Sequence, residues 1–373
     1  MNIMKKIKIL FYIDELQAGG AEKVLCNLVN NMDQNRFDVT VHTTYKCEKE
    51  RYLKQGIRYR YVYAKKNALA QWLYRLETAL GLFYSLHLKD AYNIEIAYLE
   101  CGPTKVIAQS TNKDAIKLAW VHCDLERRLG DTVDDFVKKT KKYYNRYDKV
   151  ICVSDECRKS FTKLFGLKPE ALVIHNTIDA DEILEKSMKD DGENVPVKRG
   201  FTLVTCGRLT VEKNYMMLLK CMHELGMDNV YLWIIGDGEE RKSLQNYIEE
   251  NQLESKVKLL GFQSNPYPIL KLADLYVCSS KYEGYSTAVI EALILGIPVI
   301  TTDCSGMYEI LGQSEYGLIT ENDEKHLSEG LDRMISDSEL FREYRMKAKE
   351  RGNLLSGRSV TKETEKFFEQ LIG

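Results

Sequence analysis

The stretch LYVCSSKYEGYSTAVIEALILGIPVITT, residues 275–302, contains a strand, a helix and a second strand in succession. Two short apolar runs, LYVCS (275–279) and PVITT (298–302), predict buried strands at its two ends. Between them, Ser286 is in position to cap the start of a helix, and Gly296 marks the end of that helix. Two parallel strands joined by a helix form the repeating unit of α/β folds, so this stretch predicts a parallel sheet covered by helices.

The same alternation of apolar runs and helical patterns extends along the whole chain. In the first half, apolar runs predict strands at 7–13, 38–44, 94–99, 117–122, 149–154 and 171–176. In the second half, they predict strands at 201–207, 230–236, 257–262, 275–279 and 298–302. The series begins twice, which predicts an α/β protein with two Rossmann-like, doubly wound parallel-sheet domains facing each other across a cleft. Ligands of such domains bind at the carboxyl ends of the strands.

The length of 373 residues also favours two domains over one. The polar stretch SMKDDGENVPVKRG (187–200) has no apolar periodicity and contains glycine and proline, so it predicts a linker. We therefore expect an N-terminal domain over 1–186 and a C-terminal domain over 201–355. The last segment, 356–373, predicts a C-terminal helix that can cross back to the N-terminal domain.

Composition indicates an ordinary soluble globular protein, with 44% hydrophobic and 29% charged residues. The ten cysteines form no CxxC pair and mostly lie in apolar runs, which favours free thiols in a reducing cytosol. The opening MNIMKKIKILFYIDEL has the charged and apolar order of a signal peptide, but its short apolar part runs into Asp14 and Glu15. We expect a first buried strand here and, from the free thiols, a cytoplasmic location. No run approaches the roughly 18 apolar residues that span a bilayer.

The two halves of the chain differ in charge, with a net +8 over residues 1–180 and −10 over 181–373. A basic half suits anionic lipid, nucleic acid or phosphorylated substrates, although chance variation between domains also explains it. The charge is concentrated in AKKNALAQWLYRLETALGLFYSLHL (64–88) and KKTKKYYNRYDK (138–149). The first segment contains Lys65, Lys66, Arg75, Trp72, Leu73, Leu76, Leu80, Phe83 and Tyr84. Such a basic amphipathic helix predicts contact with an anionic membrane, and the alternative is a helix packed on its own domain.

Two glutamates stand eight residues apart around the start of the helix in 275–302. Glu283 lies in the loop before this helix, and Glu291 lies on its second turn. A carboxylate among apolar residues requires a hydrogen-bonding partner, so Glu291 is predicted to be paired or to bind a polar ligand such as ribose hydroxyls. The backbone N–H groups of Gly284, Tyr285 and Ser286 are expected at the helix start, where phosphate or sugar hydroxyls bind.

A second candidate segment is TCGRLTVEKNYMMLLKCM (205–222). Gly207 and Arg208 follow a predicted strand there, and Lys213 opens a helix. Two cations and a helix N-terminus that converge on one point suit a diphosphate group. The alternative is that both cations are solvated surface charges, but their place after a strand favours the diphosphate.

Three further turns follow predicted strands. Gly19 and Gly20, in AGGAEKVL, allow the backbone to approach a phosphate or sugar, although they form neither a dinucleotide fingerprint nor a P-loop and also suit an ordinary turn. Gly236 and Gly238, in IIGDGEE, are interpreted as a structural tight turn, with lining of the cleft as the less favoured alternative. Phe262, in LLGFQSN, suits either a flat base or the domain core.

These segments together resemble a known family. EGYSTAVIEALILGIPVI resembles the E-x7-E signature of retaining glycosyltransferases of the GT-B fold, specifically glycosyltransferase family 4 (group 1). GRLTVEKN resembles the Gly-Arg…Lys diphosphate segment of that family. AGGAEKVL, AWVHCD, VSDECRKSF…VIHNTID, GDGEERKSL and LLGFQSN occur in the family's order, so the resemblance covers essentially the whole chain.

The resemblance implies a role for each part of the donor site. Arg208 and Lys213 would bind the donor diphosphate, Glu291 the ribose hydroxyls, and the backbone near Phe262 the base. Glu283 and the amides after Gly284 would contact the transferred sugar. The implied donor-binding set comprises Gly19, Gly20, Gly207, Arg208, Lys213, Phe262, Glu283, Gly284, Tyr285, Ser286, Thr287 and Glu291.

The resemblance also implies a catalytic set of Glu283, His122, Arg208 and Lys213. His122 would touch the sugar near the reacting carbon, and its alternative is a core histidine at a strand end. Gly19 and Gly20 would approach the donor phosphate or the acceptor. The chain departs from the family at Asn176–Thr177, where Asn-Gly is common, and at Tyr285, where Phe is commoner.

The implied activity is the transfer of a hexose or N-acetylhexosamine from a nucleotide diphosphate sugar to an acceptor hydroxyl, with retention at the anomeric carbon. A UDP-sugar is favoured as donor over a GDP-sugar. The acceptor is expected to be a polyprenyl-diphosphate-linked or polysaccharide intermediate of bacterial surface polysaccharide assembly, at the inner face of the cytoplasmic membrane. The alternatives are a sugar-nucleotide epimerase of the same fold, a phosphorylase, or a catalytically inactive partner of a transferase.

We expect the protein to bind no metal, no other cofactor and no nucleic acid. The Asp-x-Asp pair of the other main glycosyltransferase architecture is matched by DAD (179–181) in letters only, because that segment lies near the domain break. The sequence contains no HExxH motif and no Cys/His cluster with zinc spacing. Arg208, Lys213 and helix N-termini would stabilise the departing diphosphate instead.

Overall fold

Parallel sheets, one in each half of the chain, organise the structure. It is a computed structural model that describes residues 6–16, 19–48, 52–166, 168–189, 195–357 and 359–373. The chain divides into two units, the first comprising Met1–Ile178 with Ser359–Gly373 and the second Asp179–Arg358.

The first unit is built on a seven-stranded sheet. Its strands are β1 (Ile7–Ile13), β2 (Phe37–Tyr45), β3 (Arg58–Tyr63), β4 (Ile94–Ala97), β5 (Ile116–Val121), β6 (Lys149–Cys152) and β7 (Glu170–Val173). Its helices are α1 (Gly20–Asn31), α2 (Ala68–Ala79), α3 (Phe83–His87), α4 (Gly102–Ile107), α5 (Leu125–Leu129), α6 (Val133–Tyr144), α7 (Asp155–Phe165) and, from the chain end, α16 (Val360–Ile372). The strand order is β3-β2-β1-β4-β5-β6-β7, and all neighbouring pairs are parallel.

The second unit is built on a six-stranded sheet. Its strands are β8 (Phe201–Cys206), β9 (Val230–Ile235), β10 (Val257–Gly261), β11 (Leu275–Cys278), β12 (Val299–Thr302) and β13 (Leu318–Thr320). Its helices are α8 (Ala180–Ser187), α9 (Tyr215–Leu225), α10 (Arg241–Glu250), α11 (Tyr267–Leu272), α12 (Thr287–Ile294), α13 (Met307–Leu311), α14 (Glu324–Ser336) and α15 (Ser338–Ser356). The order is β10-β9-β8-β11-β12-β13, again parallel throughout.

The prediction of two doubly wound parallel sheets is therefore confirmed. In each sheet the strand order reverses beside the first strand, between β1 and β4 and between β8 and β11. Ligands of open α/β sheets bind outside the carboxyl ends of the strands at this reversal. The residues that follow β1, β4, β8 and β11 therefore occupy the positions that favour a binding site.

Two edge strands were missed by the apolar patterns. Strand β3, RYRYVY, lies at one edge of the first sheet and exposes Arg58 and Arg60, because an edge strand tolerates charged side chains. Strand β13 has only three residues at the edge of the second sheet, which is too short to show a period. Several predicted strands also end one to three residues earlier than their apolar runs.

The observed boundary between the units follows Ile178, not the predicted residue 186. Helix α8 belongs to the second unit because it buries Ile183 and packs against α11 and α12. The predicted linker 187–200 begins at the last residue of α8, and its residues 190–194 lie outside the described residues.

Helix α16 at the chain end belongs to the first unit. Its Phe368 is fully buried, with its ring centroid 6.3 Å from that of Phe11 on β1. The carboxylate of Glu365 accepts hydrogen bonds from the Asp33 backbone N–H at 2.6 Å and from the Arg36 guanidinium at 2.5 Å. Apolar burial and an ion pair thus both attach this helix to the first sheet.

Two expectations from the sequence concern the state of the cysteines and the presence of membrane-spanning helices. All ten cysteines are free, as their place in apolar runs predicted. Within the described ranges, none of the helices combines the length and the apolar character that crossing a membrane requires.

The segment 64–88 forms two helices, α2 and α3, instead of one amphipathic helix. Phe83 and Tyr84, which were placed on the predicted membrane face, are buried inside the domain. In the basic run 138–149, Tyr144 and Tyr147 are also buried, so these aromatic side chains are part of the hydrophobic core.

Strand β4 carries a carboxyl group inside the first unit. Glu95 is fully buried and accepts hydrogen bonds from the Tyr84 hydroxyl at 2.6 Å and the Asn112 amide at 3.1 Å. Its Oε2 atom has no hydrogen-bond partner among the described residues. Burial raises the pKa of Glu95 above its usual range, although hydrogen bonds to its side chain partly offset this effect.

Glu95→Gln should raise the free energy of unfolding by about 1 kcal/mol at pH 8. The substitution removes a buried charge and keeps an acceptor for the Tyr84 hydroxyl. A raised carboxyl pKa means that the folded state binds the proton more tightly, so wild-type stability falls as pH rises above the unfolded pKa of about 4.3. The gain should therefore shrink as the pH approaches 4. Thermal unfolding across this pH range measures it.

Glu254→Gln is the control, because Glu254 is exposed. It should leave the unfolding temperature unchanged at both ends of the pH range. A Glu95→Gln protein that is less stable than wild type at pH 8 would show that the ionised carboxylate stabilises the fold.

Candidate functional site

The loop after β8 carries the predicted cations. It contains a 3-10 turn, Val211–Lys213, and ends at Asn214, whose left-handed backbone (φ 52°) begins α9. Asparagine tolerates this conformation better than most residues. Tyr215 is buried directly beneath the loop, where a Cβ on Gly207 would lie 2.7 Å from its hydroxyl oxygen. The loop therefore packs against the side chain of Tyr215, the first residue of α9.

A second turn supports this loop from the side. The Gly207 N–H donates to the Ile235 carbonyl and the Leu209 N–H to the Asp237 carbonyl, both at 3.0 Å. A Cβ on Gly236 would lie 1.9 Å from the Gly207 carbonyl oxygen, and a Cβ on Gly238 2.4 Å from that of Leu209. The structural interpretation of these two glycines is confirmed, because only glycine permits this approach of the two backbones.

Lys213 and Glu283 meet at the reversal of the second sheet. The Lys213 amine lies 2.6 Å from Glu283 Oε1, and Ser280 Oγ donates to the same oxygen at 2.7 Å. Ser279 Oγ donates to the Lys213 carbonyl at 2.9 Å, which ties the loop after β8 to the end of β11. Burial lowers the pKa of Lys213, but Glu283, Tyr215 and Cys278 together raise it above its usual range, so the amine is charged at physiological pH.

Helix α12 begins beside this pair. Ser286 occupies the predicted N-cap position, although its side chain makes no capping hydrogen bond. The preceding turn lies against Gly306, whose Cβ would be 2.5 Å from the Gly284 carbonyl oxygen. Tyr285 is buried, and Thr287 is the first helical residue. The start of α12 is thus fixed in place next to Glu283.

Glu291 lies in the middle of α12 and is only 4% exposed. It has an interaction partner within the protein, as a buried carboxylate requires. Gly296 ends the helix with a left-handed backbone (φ 71°), as predicted.

Two predicted donor-site residues have exposed side chains. The Arg208 guanidinium is exposed and forms no ion pair within the described part of the chain. Phe262 follows β10 and is 57% exposed, so the alternative that it belongs to the core is wrong. An exposed cation and an exposed aromatic ring remain accessible to a ligand.

The other predicted residues lie in the first unit. Gly19 is the buried N-cap of α1 with an extended backbone, and Gly20 is the exposed first residue of that helix. His122 follows β5, and its ring stacks on Trp120 with a centroid distance of 6.2 Å. Its Nε2 is buried without a hydrogen-bond partner among the described residues. Burial lowers the pKa of His122 to about 4, so the imidazole is neutral at pH 7.

Two carboxylates at the reversal of the first sheet were missed. Asp14 follows β1 and accepts hydrogen bonds from the hydroxyls of Tyr74 and Thr44, both at 2.8 Å. Glu100 lies shortly after β4, is 7% exposed, and accepts a hydrogen bond from the His122 backbone N–H at 2.5 Å. Each acid closely follows an apolar strand run, and that place in the sequence was the available signal.

The segment 179–181 has a structural role. The Asp179 carboxylate accepts a hydrogen bond from the Glu182 backbone N–H at 2.9 Å and caps α8. A capping carboxylate explains this aspartate without a ligand.

Gly236→Ala should destabilise the second unit by roughly 3 kcal/mol or more, because its Cβ would overlap the Gly207 carbonyl and its φ is +137°. Gly226→Ala is the matched control in the same unit, since Gly226 has φ +58° and a Cβ there meets no atom closer than 3.8 Å. It should cost only about 1 kcal/mol. Thermal unfolding compares them, and equal losses would show that backbone conformation alone sets the cost.

Two family models and several curated proteins match this chain. Residues 18–182 match the family model described as Glycosyltransferase Family 4, and residues 187–352 match that of Glycosyl transferases group 1. The chain is 31% identical over 227 residues to the N-acetylgalactosamine-N,N'-diacetylbacillosaminyl-diphospho-undecaprenol 4-alpha-N-acetylgalactosaminyltransferase of Campylobacter jejuni, a match that spans 60% of each protein. It is 24% identical over 345 residues to the amylovoran biosynthesis glycosyltransferase AmsD of Erwinia amylovora, which spans 90% of this chain and 92% of AmsD.

Solved structures share the fold. The crystal structure of Anabaena HepE in complex with UDP and glucose superposes with a TM-score of 0.78 at 20% sequence identity, covering 98% of this chain and 99% of HepE. Together, the two family models cover most of the chain, and their boundary falls near that between the two units. The chain therefore belongs to the group 1, family 4 glycosyltransferases and has their GT-B fold.

Proposed function

We propose that this protein transfers a sugar from a nucleotide diphosphate sugar, with UDP as the nucleotide, to an acceptor hydroxyl and retains the anomeric configuration. The observation that carries this proposal is the Lys213–Glu283 pair at the reversal of the second sheet. It brings a fixed cation and a carboxylate to the position where α/β sheets bind ligands. UDP is favoured because HepE, which shares the fold, was solved with UDP.

The ion pair prepares the site for a diphosphate. Without a donor, Glu283 neutralises the half-buried Lys213 and holds its amine in one place. An arriving diphosphate supplies a stronger negative charge for Lys213, and Arg208 is available as a second cation. Glu283, still held by Ser280, is then free to accept hydrogen bonds from hydroxyls of the transferred sugar. A cation already in position stabilises the leaving diphosphate without reorganisation during the reaction.

The length of α12 suits the two ends of a nucleotide sugar. Glu291 lies four residues beyond Thr287, about 6 Å along the helix axis. In our proposal Glu283 contacts the sugar before the helix, the first-turn amides contact the phosphates, and Glu291 contacts the ribose hydroxyls. Phe262, whose ring is exposed, marks the backbone that contacts the base.

In the first unit, His122 is assigned to the sugar near the reacting carbon. Its neutral imidazole and unpartnered Nε2 allow it to exchange one hydrogen bond with a sugar hydroxyl. The oxygen of the leaving diphosphate is proposed to take the acceptor proton. This assignment needs no side-chain base at the donor site.

The acceptor is proposed to be a polyprenyl-diphosphate-linked or polysaccharide intermediate of bacterial surface polysaccharide assembly. The Campylobacter relative is named for a diphospho-undecaprenol acceptor, and AmsD for amylovoran biosynthesis. A lipid-linked acceptor would place the reaction at the inner face of the cytoplasmic membrane. The net charge of +8 over residues 1–180 suits both an acceptor phosphate and such a surface.

Lys213→Met should weaken UDP binding by about 10- to 100-fold, because charge-assisted hydrogen bonds contribute roughly 1.5–3 kcal/mol. Titration calorimetry measures the affinity. Lys220→Met is the matched control, since the Lys220 amine pairs with Glu324 at 3.4 Å on the exposed surface of the same unit. It should bind UDP like wild type.

Lys213→Met leaves the Glu283 carboxylate without its cation, which can destabilise the fold. The double variant Lys213→Met/Glu283→Gln therefore separates an effect on UDP binding from an effect on folding. It removes both charges, so it should unfold near the wild-type temperature and still bind UDP weakly. Wild-type affinity in the folded double variant would refute the diphosphate role of Lys213.

Glu291→Ala should weaken UDP binding by about tenfold and leave the affinity for inorganic pyrophosphate unchanged, because only UDP carries a ribose. Calorimetric titrations with both ligands make the comparison. Parallel losses for UDP and pyrophosphate would instead place Glu291 in support of the phosphate site or of the fold.

A further inference from the structure

Helix α2 carries its large apolar side chains on the outside of the first unit. Leu69, Trp72, Leu76 and Leu80 follow the i, i+3, i+7, i+11 spacing that places side chains on one helix face. Leu69 is 64% exposed, Trp72 57% and Leu80 62%. The large apolar residues of a surface helix usually face the protein core. In α2 they face the solvent instead.

The inner face of α2 is formed by small or polar residues that hold the helix in this orientation. Ala70 and Thr78 are buried, and the Gln109 amide donates to the Thr78 carbonyl at 3.0 Å. The Tyr74 hydroxyl donates to Asp14 at 2.8 Å, and its ring centroid lies 5.0 Å from that of Phe83. These contacts prevent α2 from turning its leucines inward.

Two more exposed leucines follow α2 in the chain. Leu82 and Leu86 are 46% and 48% exposed, whereas Phe83 and Tyr84 between them are buried. The resulting surface, termed the apolar strip, comprises Leu69, Trp72, Leu76, Leu80, Leu82 and Leu86. Several exposed large apolar side chains close together in the chain are typical of an interaction site.

Cations accompany the residues of the apolar strip along the chain, since Lys65 precedes them, Arg75 lies on α2 and Lys89 follows Leu86. Lys65, Arg75 and Lys89 are exposed, and none of them forms an ion pair with another described residue. The acid on α2, Glu77, is engaged by His87 at 2.8 Å and by the Tyr63 hydroxyl at 3.0 Å. The charge around the strip is therefore positive. A second copy of this surface would bring like charges together, whereas an anionic lipid surface would complement them.

We propose that the apolar strip and its basic rim dock on an anionic lipid bilayer. The leucines and Trp72 enter the boundary between headgroups and acyl chains, and the three cations remain at the level of the phosphates. The Tyr74–Asp14 hydrogen bond joins this surface to the carboxyl end of β1. Docking would therefore fix the orientation of the first sheet toward the bilayer, whether or not the proposed transfer reaction is correct.

Vesicle flotation of the full chain tests this proposal without any substrate. The protein should float with vesicles of phosphatidylglycerol and phosphatidylcholine, and much less with phosphatidylcholine alone. Lys65→Gln, Arg75→Gln and Lys89→Gln should each reduce partitioning by about fivefold at low salt. High salt should weaken wild-type binding, because it screens exposed charges.

The triple variant Trp72→Ser/Leu76→Ser/Leu80→Ser should reduce partitioning by more than about tenfold and retain the wild-type unfolding temperature, since all three side chains are exposed. The matched control is Met346→Ser/Leu354→Ser on α15, where the exposures are 68% and 56%. That control should float like wild type.

Three results would overturn the proposal. One is a folded strip variant that floats as well as wild type. Another is wild-type binding that is equal on neutral and anionic vesicles and indifferent to salt. The third is a lipid-free dimer, detected by light scattering, that the strip substitutions convert to a monomer, since the strip would then be covered by a second copy.

Discussion

The hydrogen-bonded ion pair between Lys213 and Glu283 connects two elements that are distant in the chain. It joins the loop after β8 to the loop after β11, at the point where the order of the second sheet reverses. A charge pair that is largely removed from solvent is weak as a source of stability, because desolvation offsets its attraction. Its value here is positional, since it holds one cation and one carboxylate at the position that suits a ligand. In the proposed function, an anionic ligand would replace Glu283 as the partner of Lys213.

This arrangement depends on backbones that approach each other without side chains between them. Gly236 and Gly238 permit one turn to lie against the Gly207–Leu209 loop, and Gly306 permits another to lie against Gly284. The loops that carry Arg208, Lys213 and Glu283 are therefore supported by backbone contacts and hydrogen bonds from neighbouring loops. Such support does not use the charged side chains, so Lys213 pairs with Glu283 and Arg208 remains exposed.

The first unit distributes its polar groups differently. Asp14, Glu100 and His122 follow adjacent strands of its sheet, each partly or fully removed from water. Asp14 and Glu100 are bound to protein groups, whereas the Nε2 of His122 is left without a partner among the described residues. This unit also carries the apolar strip, which Tyr74 connects to Asp14. In our proposals, acceptor recognition and lipid contact share the strands of this one sheet.

Apolar runs separated by helical patterns determined the two parallel sheets, because strands buried on both faces must be continuously apolar. The strand-to-helix turns likewise determined the candidate positions of Arg208, Lys213, Glu283 and Glu291, since the carboxyl ends of parallel strands lie at one edge. Edge strands β3 and β13 escaped this reasoning because they are charged or very short. Only the tertiary structure decided that Lys213 pairs with Glu283, that Phe262 is exposed, and that α2 turns its leucines outward. Helical periodicity shows that a helix has an apolar face, but the packing of Tyr74 against Asp14 and Phe83 decides where that face points.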